Sequence, residues 1–436
     1  MSFRRLVIII PIVLVIIGVG YYSVAHILAR GAMNKRRGQL ASEIDAFQKK
    51  ADDRQPLFGK ALEGDGGPEL LAVAREATKI ADKETILDLQ KLLSPRPDKA
   101  IIDRTQPFLK GVEPLLSRVR KAVEKTQCLV PYNIAQIDSE PLPHVFRGIG
   151  FALILSGNRY REKQQNFEAM RRYLIAARYG QDFSRKAPLR YRRDGAEVTI
   201  AALREAMRLL TEQDVRLRDL RKLRGACDKL EVSEPDFSDN LQAECFQDEY
   251  AIIRAGEKIG FIPGSVSISG TGVKKFTTLA GYAASRKKFL KWYDAARQDA
   301  GRPYPAAHEL LVKRINGRIL DNWLVCAIAW DFSEIYALDV LSLAFCRAMR
   351  FTLWLRIFKA EKGRFPKESI EEAGQYLPVD PFTAGKKFNY VFGYAGGTRF
   401  YSVGSDAMQN GGKGARWEDK RGEDVIFPAA SIFRHR

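Results

Sequence analysis

Phe358–Phe427 reads FKAEKGRFPKESIEEAGQYLPVDPFTAGKKFNYVFGYAGGTRFYSVGSDAMQNGGKGARWEDKRGEDVIF, and it sets the architecture of the C-terminal end of the chain. A helix runs into Gly363, where a residue without Cβ suits the left-handed position just past a helix end. Pro366 breaks the chain, and a short acidic helix leads to Leu377-Pro378-Val379-Asp380-Pro381-Phe382. Asp380 precedes a proline and so avoids the helical region. Its carboxylate is expected to form an Asx-turn with the backbone beyond it. Two short strands are expected around Phe388–Phe392 and Thr398–Val403, with Phe382 and Tyr390 packing them onto the preceding helix. A Gly-rich loop with scattered acids closes the stretch.

Upstream, Asp331–Lys362 carries the longest amphipathic pattern in the chain. Leu338, Leu341, Phe345, Ala348, Thr352 and Leu355 recur at i+3/i+4 spacing on one stripe. Asp331 and Glu334 have capping-box spacing. The charges at Asp331, Glu334, Asp339 and Arg347 argue against a second membrane span here.

About residues 336–428 resemble the C-terminal part of the major pseudopilin of type II secretion systems. The matching features are Gly363-Arg364-Phe365-Pro366, Leu377–Phe382, Asn389-Tyr390, Tyr401-Ser402-Val403-Gly404-Ser405-Asp406, Gly411-Gly412 and Asp424-Val425-Ile426, in that order. The resemblance implies a small α+β module with a short antiparallel sheet, exported and part of an envelope assembly. It also implies calcium, because major pseudopilins bind it in the loop after the Ser-x-Gly-x-Asp motif. Asp406 and Asp424 would then be ligands, with Ser405 and Glu423 adding oxygens, since calcium takes six to eight of them. The other reading of Asp406 and Asp424 is a loop held by carboxylates accepting backbone N–H groups. Lys413, Arg416, Lys420 and Arg421 crowd that loop with positive charge. The Gly-Phe-Thr-Leu-x-Glu start of pseudopilins does not occur in this chain, and more than 300 residues separate the N-terminal apolar run from the module.

That apolar run is Leu6–Ala25, uncharged and long enough to span a bilayer as a helix. Ser23-Val24-Ala25 fits a small-x-small cleavage site, but amphipathic helical text soon resumes, which favours a retained anchor. Arg4 and Arg5 precede the run; Arg30, Lys35, Arg36 and Arg37 follow it. Counted alone, these charges lean toward a cytoplasmic C-terminus, whereas the resemblance implies export.

Residues 38–127 read as helices. Leu70, Val73, Ala74 and Ala77 mark one face, and Ile86, Leu89, Leu92 and Leu93 another. Glu63–Pro68 and Ser94–Pro97 break the pattern. Residues 131–143, with Pro131, Pro141 and Pro143, read as a linker or crossing loop. In residues 144–231, Phe146, Ile149, Leu153 and Ile154 line a helix expected to end near Ser156-Gly157-Asn158. Phe167, Met170, Leu174 and Ala177 line the next, and further helices are expected over Ala201–Leu210 and Val215–Leu223. Helices paired through short turns give a hairpin array, similar in architecture to tetratricopeptide packing, without its repeat signature. Residues 260–272 read as a loop or hairpin, and Gly270-Thr271-Gly272 lacks the spacing of a phosphate loop.

The net charge is +19, which favours anionic partners of some kind. Residues 144–231 supply about half of that excess. Their basic residues read either as a solvated outer face or as an anion-facing surface, densest at Arg171, Arg172, Arg190, Arg192 and Arg193. Tyr173, Tyr179 and Tyr191 stand among them, placed to stack on bases or to edge a helical core. The five cysteines are widely spaced, which argues against a structural zinc site; Cys227 and Cys245 flank an acidic loop in which they could pair. No H-E-x-x-H and no G-x-S-x-G occurs, so no catalytic signature marks the chain as an enzyme.

The sequence therefore reads as a mainly α protein. A tail and transmembrane anchor (1–30) lead into a helical stalk and linker region (31–143). A basic helical body (144–330) and the pseudopilin-like α+β module (331–436) follow. The expected role is structural: a single-pass scaffold of the bacterial inner membrane with its bulk in the periplasm, partnered by the membrane and by other envelope proteins. The rival roles are a module recruiting an anionic lipid or polymer through the basic block, with nucleic acid ranked lower, and an enzyme of unrecognised type.

Overall fold

The computed structural model describes residues 3–49, 54–94, 97–135, 140–259, 264–267, 274–321, 332–367, 370–394, 397–408 and 424–427. The protein is mainly helical, with one long apolar N-terminal helix and a small antiparallel sheet near the C-terminus. Asp331, the 270–272 glycines and Cys326, one of the five cysteines, lie outside the described residues.

Helix α1 (Phe3–Lys49) has two halves of different character. Leu14, Val15, Ile16 and Ile17 each expose more than half of their surface, while Met33, Leu40 and Ile44 are buried against the body. Arg36 is tied to Glu249 at 2.9 Å, and Glu249 is fully buried and also pairs with Arg286. It is the one helix among the described residues long and apolar enough to cross a membrane.

The stretch expected to be purely helical contains two strands. β1 (Leu62–Asp65) pairs in parallel with β2 (Lys125–Gln127), enclosing α2 (Gly67–Thr78), α3 (Lys83–Leu89), α4 (Lys99–Val112) and α5 (Leu116–Val123). Parallel pairing joins segments some sixty residues apart, and strands this short leave no periodicity to read. Residues 129–134 are irregular yet interior: Leu129, Val130, Tyr132 and Ile134 are all buried.

Five successive helices form the body: α6 (Pro143–Glu162), α7 (Asn166–Ser184), α8 (Leu189–Glu212), α9 (Leu217–Val232) and α10 (Phe237–Gly256). The faces read from the sequence are buried, but α6 does not stop at Gly157. A Cβ there would meet the Tyr173 ring at 2.5 Å, so the glycine makes room for an α7 side chain inside a continuous helix. Helices α7 and α8 cross at Gly180 and Gly195. A Cβ on Gly195 would lie 2.4 Å from the Gly180 carbonyl oxygen, and one on Gly180 would lie 2.6 Å from that of Gly195. At that separation Thr199 Oγ1 donates to the Ala177 carbonyl at 3.2 Å.

Asp194 lies on α8 beside Arg147, 3.4 Å away. Burial pushes its carboxyl up to about 6, Arg147 partly opposing and Glu197 adding to the shift. A carboxyl held above its unfolded value contributes most below pH 4, and that contribution fades as pH rises through 6. The span is at most about 3 kcal/mol. Asp194→Asn should therefore flatten the fall in stability between pH 4 and 6, read by denaturant unfolding at each pH. An unchanged slope would rule this out.

Beyond a hairpin of β3 (Gly264–Ser267) and β4 (Lys274–Thr277), α11 (Leu279–Ala300) and α12 (Tyr304–Asp321) lead to α13 (Phe332–Lys362). The expected one-sided amphipathic helix is instead buried on nearly every face over its first 26 residues. It packs on α8, α9 and α12 and carries the C-terminal sheet as well. Gly363 has φ +71° and donates its N–H to Lys359 O at 2.9 Å, as the sequence predicts for a helix end. The three strands β5 (Asn389–Tyr394), β6 (Gly397–Ser402) and β7 (Val425–Ile426) are antiparallel, with β6 central. Tyr390 and Phe400 meet Phe351 edge-on at 5.8 and 5.1 Å.

Cys128, Cys227, Cys245 and Cys346 are buried free thiols. Cys227 and Cys245 thus form no disulfide: they sit in separate helices, each inside its own packing.

Candidate functional site

The basic residues singled out in the sequence do not form one surface. Arg192 is 1% exposed, and its Nη2 donates to Glu234 at 2.7 Å and pairs with Asp339. Glu234 lies in the α9–α10 turn and Asp339 on α13, so a residue expected outside ties three elements together inside. Burial pushes the Asp339 carboxyl up to about 7 against the pull of Arg192. Arg193 faces solvent and pairs with Glu197 at 3.4 Å. Arg190 is half-buried, with its guanidinium 5.5 Å from the Tyr191 ring centre. Tyr173, Tyr179 and Tyr191 are fully buried, which excludes base stacking on them. The reason is common to all: α7 and α8 are interior helices with apolar faces wider than one stripe.

Arg171 and Arg172 remain, and the fold surrounds them with cations that the sequence does not bring together. Lys60 precedes β1, Arg120 and Lys121 end α5, and Arg171 and Arg172 lie on α7. With Phe58, Leu62, Ser117, Glu124 and Ile175 they line a cleft of about 360 Å³. A second lobe of about 230 Å³ shares Arg120 and Arg172 and adds Tyr160, Lys163 and Arg159, the last paired with Glu113 at 2.8 Å. The 54–62 segment is held in place by Arg54, which pairs with buried Asp182 and donates to Val123 O at 2.7 Å. Arg178 supports it from below, donating to Gln55 O at 2.8 Å, and burial pushes that guanidinium down to about 10.

Within the cleft, Arg172 is buried; it donates to the Tyr160 hydroxyl at 3.4 Å and stands 5.1 Å from that ring centre. Arg171 stands 5.6 Å from the Phe58 ring centre and 3.8 Å from Glu168. The Nε atoms of both arginines are buried with no hydrogen-bond partner, as is Glu124 Oε1. Burial pushes the Glu124 carboxyl up despite an N–H from Phe58 at 3.4 Å.

The C-terminal residues expected to hold calcium are described only in part. Asp406 Oδ1 accepts the Met408 N–H at 2.9 Å, and the Ser405 carbonyl accepts the Tyr304 hydroxyl at 3.1 Å. Asp424 is fully buried at the start of β7. Glu423, the 411–412 glycines and the loop cations from Lys413 to Arg421 lie outside the described residues. Among the described residues no three of His, Cys, Asp and Glu stand together, and the loop expected to close around calcium falls outside them. The central carboxylate of this region is Asp380. It is fully buried and accepts from Ser402 Oγ at 2.8 Å, Val403 N at 2.9 Å and Phe382 N at 3.1 Å. The last of these is the Asx-turn expected from the sequence, and Asp380 also joins the 378–388 turn to the end of β6.

Comparison with known protein families, characterised proteins and solved structures returns no match.

Proposed function

We propose that the protein is a single-pass scaffold of the bacterial inner membrane, anchored by α1 with its bulk in the periplasm. The observation that carries this reading is the division of α1. One continuous helix presents an exposed apolar half and then packs its second half into the body. A signal sequence removed at Ala25 has no need of that continuity, whereas a retained anchor transmits position directly to the domain. In lipid the exposed apolar half is a favourable surface, while in water it is a large liability. The finer form of the proposal, a place in a type II secretion or pilus-like assembly, rests on the resemblance of residues 336–428. The helix-plus-sheet form of that region is compatible with it.

Carbonate washing should leave the full-length chain in the membrane fraction. Protease added to spheroplasts should digest the body while the inner membrane is intact. A soluble form beginning at His26 would overturn anchoring, and digestion only after lysis would overturn the periplasmic placement.

A further inference from the structure

The geometry points to the cleft between α5, α7 and residues 58–62 as a binding site for a small soluble oxyanion. The ligand is a phosphate or carboxylate carried on an aromatic or short apolar body. This inference does not depend on the scaffold reading.

Five cationic side chains, Lys60, Arg120, Lys121, Arg171 and Arg172, line one concavity with the single carboxylate of Glu124. Like charges gathered around a partly dry cleft repel one another, and an anion placed among them removes that cost. Glu124, buried and accepting the Phe58 N–H at 3.4 Å, is one carboxylate against five cations and leaves most of that charge uncompensated. Arg120 and Arg172 line both lobes, and two guanidinium groups shared in this way place the anionic head beside them.

The body of the ligand follows from the walls. Phe58, Leu62 and Ile175 supply apolar surface to the same lobe, and Leu62 is 45% exposed. A bare inorganic anion leaves those walls in water, whereas a ring or short alkyl group covers them. The ligand comes from solution rather than from the anchoring bilayer. Helix α1 continues for 24 residues past Ala25 to Lys49, about 36 Å at the helical rise, before the chain reaches residues 54–62.

The test uses the full chain in discs of zwitterionic lipid and phenyl phosphate as the probe, followed by calorimetry at low salt. Saturable binding is expected, at least tenfold tighter than inorganic phosphate, with benzyl alcohol giving none. Lys121→Glu with Arg171→Glu, at rim positions, should weaken it at least tenfold while the circular dichroism and melting temperature stay unchanged. If that pair disturbs folding, Lys60→Glu at an exposed position should weaken binding at least threefold. Absence of saturable binding, or binding unaffected by these variants in folded protein, overturns the site. Equal affinity for inorganic phosphate overturns the apolar part of the ligand. A tenfold loss of phenyl phosphate binding in discs of anionic lipid overturns its origin in solution.

Discussion

Replacing Arg192 by leucine should destabilise the protein by about 3–5 kcal/mol, because it strands two buried carboxylates without their counterion. Arg192 lies where α8 meets the α9–α10 turn and α13. Glu234 accepts its Nη2–H at 2.7 Å and also takes the Ser342 hydroxyl at 3.2 Å. Remove the guanidinium and both acids must either protonate or draw in water, and the seat of α13 opens. Since α13 carries the sheet, the C-terminal module should loosen together with the body. Asp339→Asn should cost far less, because burial already holds that carboxyl near neutrality at about 7. In the Arg192→Leu background it should recover part of the loss, so the two changes are not additive. Denaturant unfolding of the three variants reads this directly. An Arg192→Leu protein with the midpoint of the wild type would show that the triad is not a structural tie.

The second large effect is expected at the α7–α8 crossing, where the direction depends on position. Gly195→Ala adds a single methyl group, yet its Cβ meets the Gly180 carbonyl at 2.4 Å and the Ser184 Cβ at 2.5 Å. The helices must separate, and overpacking of this kind costs about 1–3 kcal/mol or somewhat more where backbone has to move. Gly225→Ala, on the exposed face of α9, meets nothing within 4 Å. There alanine only improves helix propensity and should stabilise by about 0.5–1 kcal/mol. Opposite shifts in melting temperature are expected from the same substitution at two helical glycines. A Gly195→Ala protein as stable as the wild type would mean that the crossing adjusts freely.

The two halves of the chain differ in how they can be read. Around Asp380 the sequence is explicit, because the determinants are local: a proline after an acid, a glycine after a helix, alternating aromatics in short strands. The Gly363 cap, the Asx-turn and the β5–β6 pairing follow from residues within a few positions of one another. In the basic block the same style of reading counts arginines and expects a surface. Arg192 and Arg172 are instead drawn inward, one by two acids more than forty residues away, the other by the ring of Tyr160. No signal at Arg192 distinguishes it from exposed Arg193 beside it. The acidic residue at 339, inside otherwise apolar helical text, is the hint that a buried cation waits elsewhere.

What the sequence determined by itself is whatever chain-local chemistry controls. That comprises the helical character, the apolar N-terminal run, the breaks at Gly and Pro, and the turn and strands of the C-terminal end. Only the tertiary structure decided which charges are inside and which cations share a cleft. Lys60, Arg120, Lys121, Arg171 and Arg172 come from three segments, and their approach is set by β1–β2 pairing and by Arg54 on Asp182. Electrostatic fields add over space rather than along the chain, so a concentration of charge assembled by folding has no counterpart in the order of residues.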